Sequence, residues 1–321
     1  MIIVPEREIA GLITREDSFD AVEKVFASMA NDAAYNFPVI RESIGHADAL
    51  YGFKSGFDRA GLNLGLKSGG YWPGNADKGL TNHQSTVFLF DADTGQCRAV
   101  VGGNVLTALR TAAASAVSIK HLAPKNSKVL GMIGAGHQSA FQVRAAVEQR
   151  EFEKIIGWNL HPEYLVNLEA VAREVGLPFE VVELDRLGDE SDVIITITSS
   201  FDPILMDSQV TGGTHIACMG TDTIGKQEVD AALVARATVF TDEIAQSISL
   251  GECQHAVANG RMLETEITQI GSVINGKHVG RSTDEEVTLF DGTGVGLQDL
   301  AVAAAVVDLA VAKGVALDVD F

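Results

Sequence analysis

Residues 128–139 read KVLGMIGAGHQS: a short apolar run enters Gly134, Ala135, Gly136, His137, Gln138 and Ser139, and the helical pattern FQVRAAVEQR follows. A dinucleotide pyrophosphate needs this order. The first glycine allows a tight turn, the second lacks the Cβ that would block a phosphate, and the helix N-terminus presents unpaired N–H groups. Taken alone the string also suits an ordinary strand-to-helix connection, because Ser139 stands where the fingerprint usually has Gly or Ala.

The downstream chain favours the dinucleotide. Apolar segments KIIGW (154–158), FEVVEL (179–184), DVIITIT (192–198), THIACM (214–219) and TVFTD (238–242) alternate with helical patterns near 162–175 and 226–236. Continuous runs rich in Val, Ile and Thr are those of parallel strands buried on both faces. With the glycine-bearing strand they predict an α/β fold, a doubly wound parallel sheet of the Rossmann type.

At 321 residues the chain exceeds one nucleotide-binding domain, so a second domain of about a hundred residues or more is expected. Lys and Arg number 24 against 43 Asp and Glu, and the net charge of −19 opposes binding to nucleic acid or an acidic membrane face. An anionic substrate must therefore be attracted by local cations. Cys97, Cys218 and Cys253 match neither a disulfide framework nor a zinc pattern, so no metal is expected and a reducing cytoplasm is the predicted compartment. The first residues, MIIVP, lack the basic start and long apolar core of a signal peptide. The apolar stretch LAVAAAVVDLAVAKGVAL is interrupted by Asp308 and Lys313 and reads as a packed helix.

The first 120 residues differ in kind. A helix over 15–29 leads to short mixed segments and then to a hairpin signal, STVFLFDADTGQCRAVVGG, whose apolar runs flank 91–95. An Ala-rich helix over 104–120 follows, and a long helix from about Gly296 can pack back on the first domain. The expected division is 1–120 with 296–321, and 121–295 for the dinucleotide.

Several segments together resemble the ornithine cyclodeaminase and mu-crystallin family over nearly the whole chain. They are Leu66-Lys67, His83-Gln84-Ser85-Thr86-Val87, Leu106-Thr107-Ala108-Leu109-Arg110-Thr111-Ala112-Ala113, Ile133-Gly134-Ala135-Gly136, Gly220-Thr221-Asp222 and Gly225-Lys226-Gln227-Glu228. The resemblance implies NAD or NADP on the nucleotide-binding domain, a small amino or imino acid between it and the first domain, and a homodimer formed by that first domain. It implies a substrate-carboxylate clamp of Arg41, Lys67 and Arg110; for the second cationic or hydrogen-bonding pocket that a dicarboxylic substrate needs, the first domain offers His83, Ser85, Lys78 and Tyr71. A guanidinium and an ammonium are what a buried carboxylate requires in an acidic protein. It also implies cofactor contacts from Arg110, Thr111, Gly134, Ala135, Gly136, His137, Gln138, Asn159, Leu160, Thr198, Ser199, Gly220 and Asp222.

Asp222 matches the acid that faces the substrate nitrogen in the cyclodeaminase and alanine dehydrogenase branches. A carboxylate beside a protonated imine stabilises the iminium and makes its carbon a better hydride acceptor. The plainer reading is an Asp that caps the helix after it. Lys67 joins Asp222 as a candidate catalytic residue.

The end of the second strand, GWNLHPEYL, bears on cofactor choice. Asn159 stands where an NAD enzyme often carries an acid, and Leu160 where NADPH-using mu-crystallin has Arg; with no cation for a 2′-phosphate, NADH is expected. His161 reads as a solvated loop residue. Near the C-terminus, Asp291-Gly292-Thr293-Gly294 resembles the family's alanine dehydrogenases more than its cyclodeaminases, which favours net redox chemistry. The predicted activity is NADH-dependent reduction of a small 2-imino acid to an L-amino acid, with iminosuccinate to L-aspartate as the leading substrate pair. Alanine dehydrogenation, cyclodeamination of ornithine and ligand binding without catalysis are the alternatives.

Overall fold

The computed structural model describes residues 1–320. The chain forms two compact units, one from Met1–Arg110 with the chain from Val295 onward, the other from Thr111–Gly294. The helix Asn104–Leu122 carries the chain from the first into the second.

In the first unit the strands are β1 (Ile2–Val4), β2 (Ala34–Asn36), β3 (Ile40–Ser43), β4 (Leu50–Asp58), β5 (Asn63–Tyr71), β6 (His83–Phe90) and β7 (Cys97–Gly102). With Leu317–Asp318 at one edge they make an eight-stranded sheet in which β7, β6, β5 and β4 lie side by side, β2 and β3 both pair with β4, and β1 alone pairs parallel, with β7. Helix Arg15–Met29 falls where the periodicity placed it, because Thr14 and Asp17 form a reciprocal capping box at its start. Helix Gly296–Ala312 packs on that helix and on this sheet. It is buried almost throughout its first turns, Gly296 to Leu300.

The second unit holds β8 (Val129–Ile133), β9 (Lys154–Trp158), β10 (Phe179–Val181), β11 (Val193–Thr196), β12 (His215–Cys218), β13 (Thr238–Thr241), β14 (Thr268–Gln269) and β15 (Thr288–Asp291). All pair parallel in the order β10, β9, β8, β11, β12, β15, β13, β14. The six expected strands are present, and two more extend the sheet. β15 enters between β12 and β13, so the Asp291 stretch is the end of a central strand rather than only a turn. The expected strand over 179–184 is shorter, because helix Leu184–Glu190 starts at its last residue. Ile133, Ile194, Ile216 and Leu289 are fully buried in the core of this sheet. The order reverses between β8 and β11, and in such folds ligands bind at the C-terminal ends of the strands at that point. Among the described residues no helix is long and apolar enough to cross a membrane.

Candidate functional site

Two constellations stand out, one in each unit. The first is a cluster of buried cations around one carboxylate. Helix Asn104–Leu122 starts against β6: Gly103 N donates to Ser85 O at 3.0 Å, Ser85 N to Asn104 Oδ1 at 2.8 Å, and Glu6 accepts from Asn104 N and Val105 N at 3.1 and 2.7 Å. Those contacts satisfy orphan helix donors and fix the helix in rotation. Thr107 and Arg110, one turn apart, consequently share a face. Lys67 of β5 donates to Thr107 Oγ1 at 3.4 Å and to Asp299 Oδ1 at 2.9 Å, and lies 2.9 Å from Asp299 Oδ2. Arg110 Nε donates to Asp299 Oδ1 at 3.0 Å, and its Nη1 to Gln298 Oε1 at 3.1 Å. Asp299 is fully buried; Lys67 and Arg110 are each 6% exposed.

Burial and the Arg110 charge lower the Lys67 ammonium to about 7, against the pull of Asp299. Burial pushes the Asp299 carboxyl up, but Arg110 and Lys67 overcome it and hold it below the ordinary range. His83 is driven down to about 3 by burial and by Lys67 and Arg110, with Arg41 adding to the effect, so it is a neutral ring at pH 7. Ser85 Oγ lies 3.4 Å from Thr107 Oγ1. Of the sequence candidates, Arg41, Lys67, His83, Ser85 and Arg110 are thus brought into one neighbourhood, whereas Lys78 is exposed on the turn Pro73–Lys78 and Tyr71 is exposed and accepts from Asn82 Nδ2 at 3.2 Å. The sequence reading assigned no role to Thr107, Gln298 or Asp299. An Asp in the first turn of a helix whose other residues are apolar apart from Gln298 and Asp308 is the available signal, since acids are almost never fully buried unless paired.

The second constellation follows β8. Gly134 has φ +108 and donates its N–H to Trp158 O at 3.0 Å; a Cβ there would sit 2.5 Å from Ile197 O. A Cβ on Gly136, by contrast, would meet no protein atom within 4 Å. That open space and the helix Ser139–Ala146 beginning next to it fit a bound pyrophosphate. His137 is exposed beside Phe141, ring centroids 5.5 Å apart. Asn159 fastens the turn, its Oδ1 accepting from Ala135 N at 3.0 Å and its Nδ2 donating to His161 O at 2.7 Å. Leu160 is 73% exposed, and neither an acid nor a cation occupies the tip of β9.

The loops after β11 and β12 are tied by a carboxylate that the sequence reading missed. Glu228, fully buried, accepts from Thr196 Oγ1 at 2.7 Å, Thr198 N at 2.6 Å and Gly220 N at 2.8 Å. Glu252 accepts from Thr221 Oγ1 at 2.5 Å and from Glu228 N and Val229 N at 2.9 Å. Burial raises both carboxyls, Glu252 also through Glu228. This clasp holds Thr198 and the exposed Ser199 on one loop and Gly220 and Asp222 on the next. Asp222 Oδ1 accepts from Lys226 Nζ at 3.0 Å and Thr223 Oγ1 at 3.2 Å. It caps no helix: the following one is Ala231–Arg236, capped by Asp230. The Gly292–Gly294 turn is held by Asp242, which accepts from Thr293 N, Thr293 Oγ1 and Gly294 N at 3.1, 2.6 and 2.8 Å. Thr111 is buried on the long helix, next to Arg110.

The chain is 68% identical over 320 residues to the iminosuccinate reductase of Paracoccus denitrificans, covering 100% of both chains. The crystal structure of the iminosuccinate reductase of Paracoccus denitrificans in complex with NAD+ superposes with a TM-score of 0.96, at 68% identity and 100% and 99% coverage. An archaeal alanine dehydrogenase dimer with bound NAD superposes with a TM-score of 0.93, at 31% identity and 100% and 99% coverage. The model of the ornithine cyclodeaminase/mu-crystallin family matches residues 3–314, and this chain belongs to that family.

Proposed function

We propose that the chain is an NADH-dependent imine reductase, an oxidoreductase of C–N bonds that converts iminosuccinate to L-aspartate. The cation cluster carries the substrate half of this reading. Lys67 and Arg110 share one buried carboxylate, and Arg41 and Lys54 add to the charge acting on the cluster. A surplus of buried positive charge is costly without an anion, and a substrate carboxylate supplies one. The likeness to an iminosuccinate reductase, solved with NAD+, supports the dicarboxylic imine and the cofactor.

In this mechanism Arg41, Lys67 and Arg110 hold the α-carboxylate. Gln298 Nε2, buried and without a partner among the described residues, offers a further donor beside Arg110. Neutral His83 and Ser85 orient the substrate by hydrogen bonding. Asp222 stabilises the positive charge of the protonated imine. The glycine turn and the Thr198, Ser199 and Gly220 loops hold the dinucleotide; NADH, when bound, supplies the hydride. The enzyme chiefly positions and polarises. The archaeal dimer supports a homodimer, and the cytoplasm is the compartment we infer from the reduced-thiol composition.

The direct test follows NADH absorbance with iminosuccinate formed in situ from oxaloacetate and ammonia. One NADH is expected to disappear for each aspartate formed, with NADPH less effective because Leu160 offers no cation to a 2′-phosphate. Brisk conversion of L-ornithine to proline with catalytic NAD and no net change in the nucleotide would instead mark a cyclodeaminase.

The position of the Lys67 pKa gives a pH dependence. Only the ammonium form binds a carboxylate, so affinity of the free enzyme for the substrate carboxylates should fall as pH rises through about 7. Succinate, ionised throughout and lacking an imine of its own, isolates this effect. Its inhibition constant against iminosuccinate should rise by up to about tenfold per pH unit above that point. A constant value between about pH 6 and 9 would remove Lys67 from the clamp.

A further inference from the structure

The loops after β11 and β12 approach so closely that a Cβ on Gly220 would lie 2.3 Å from Thr198 O and 2.5 Å from Glu228 Oε1. Glu228 fastens them. Its backbone carbonyl accepts from Ile204 N at 2.8 Å and Leu205 N at 3.1 Å, and its carboxyl accepts from Thr196 Oγ1, Thr198 N and Gly220 N. The two backbone N–H groups can only donate. A carboxylate accepts all three contacts, whereas a proton on its oxygens would oppose Thr198 N–H or weaken the hold on Gly220 N–H. The geometry therefore favours an ionised Glu228.

Glu252 is placed to hold a proton instead. One of its oxygens accepts from Glu228 N and Val229 N, and the other meets Thr221 Oγ1, a hydroxyl that can accept as well as donate. A proton on that second oxygen costs no hydrogen bond. Burial raises the Glu252 carboxyl, and the charges of Glu228 and of Asp291 at the end of β15 raise it further, to about 8. Asp291 is itself raised to about 7 by burial, and burial and these acids hold the Cys218 and Cys253 thiols above their ordinary range. In the same loop Lys226 Nζ donates to Gly220 O and Asp222 Oδ1, and the His255 ring meets Lys226 O. Two neighbouring carboxyls in a dry site resist ionising together.

We propose, on the basis of the reading in which these loops hold the dinucleotide, that Glu228 is a positioning residue for the cofactor site and that a proton on Glu252 keeps the two loops clasped. Opening the loops brings Glu252 into water, where a carboxyl has its ordinary value of 4.5, so the clasped form holds the proton more tightly than the open one. Clasping is then strongest below that value, weakens as pH rises toward about 8, and is constant above it.

Amide hydrogen exchange over 196–199 and 219–222, corrected for the intrinsic effect of pH, reads the clasp, and NADH titration reads its effect on the cofactor. Wild-type protection should fall by up to about tenfold per unit between about pH 6 and 8, with NADH affinity falling alongside. Glu252→Gln, whose amide reproduces the protonated acid, should show protection that does not change over this range. Glu228→Gln, whose NH2 cannot accept from a backbone N–H, should weaken NADH binding about 5- to 150-fold. A flat wild-type profile overturns the proposal. So does a profile that persists in Glu252→Gln, which assigns the titration to Asp291, and so does wild-type NADH affinity in Glu228→Gln. If Glu228→Gln does not fold, the wild-type and Glu252→Gln profiles decide. If the wild type binds no NADH at any pH, the cofactor reading fails, and the protection profiles, measured without nucleotide, sustain or overturn the clasp by themselves.

Discussion

Lys67→Met is expected to lower kcat/KM for iminosuccinate reduction by about 30- to 4,000-fold, the equivalent of the roughly 2–5 kcal/mol lost when one partner of a buried charged pair is truncated. Met retains most of the alkyl stem, so packing within β5 persists. Asp299 keeps Arg110 as its counter-ion at 3.0 Å, which spares the fold an isolated buried acid. The lesion should therefore appear in turnover and substrate affinity, with fluorescence titration giving a near-normal NADH dissociation constant. Nucleotide affinity that falls in step with activity would make Lys67 a cofactor or folding residue.

How much of this could be read from the chain follows from the range of each interaction. The glycine turn, the helix over 15–29 and the hairpin around 91–95 rest on signals within a few residues, and they stand where their patterns put them. Insertion of β15 between β12 and β13 has no local mark, since order in a parallel sheet depends on partners far along the chain. Lys67 and Arg110, the cations proposed to hold the substrate carboxylate, stand in segments that resemble the family's motifs. Asp299 carries no such mark, because Lys67 is 232 residues away and nothing in the helix around Asp299 names its partner. Glu228 lies inside the Gly225-Lys226-Gln227-Glu228 motif, yet its hold on Thr198 N and Gly220 N joins two loops that only the fold brings side by side. Local patterns identify the groups that do chemistry more readily than the groups that hold them in place.

Asp299→Asn should damage the fold as well as activity, and the damage should depend on pH. Removing the carboxylate leaves Lys67 and Arg110 buried together, a loss of about 3–5 kcal/mol for a broken buried pair. The sign follows from two titrations. The Asp299 carboxyl is held below its ordinary value, so its contribution is present above that value and is lost only as pH falls through its lowered one. Lys67 is lowered from 10.5 to about 7, so the folded state binds its proton less tightly than the unfolded chain, and stability rises with pH between those values. Near pH 6 the substitution takes the carboxylate away from two charged partners, Lys67 and Arg110; near pH 9 Lys67 is neutral in the wild type and only the Arg110 pairing is lost. Denaturant titrations of wild type and variant should therefore show a stability gap that is widest near pH 6 and narrows toward pH 9. A gap that is constant with pH would mean that Asp299 holds Arg110 alone, and that the Lys67 ammonium is balanced by some other group.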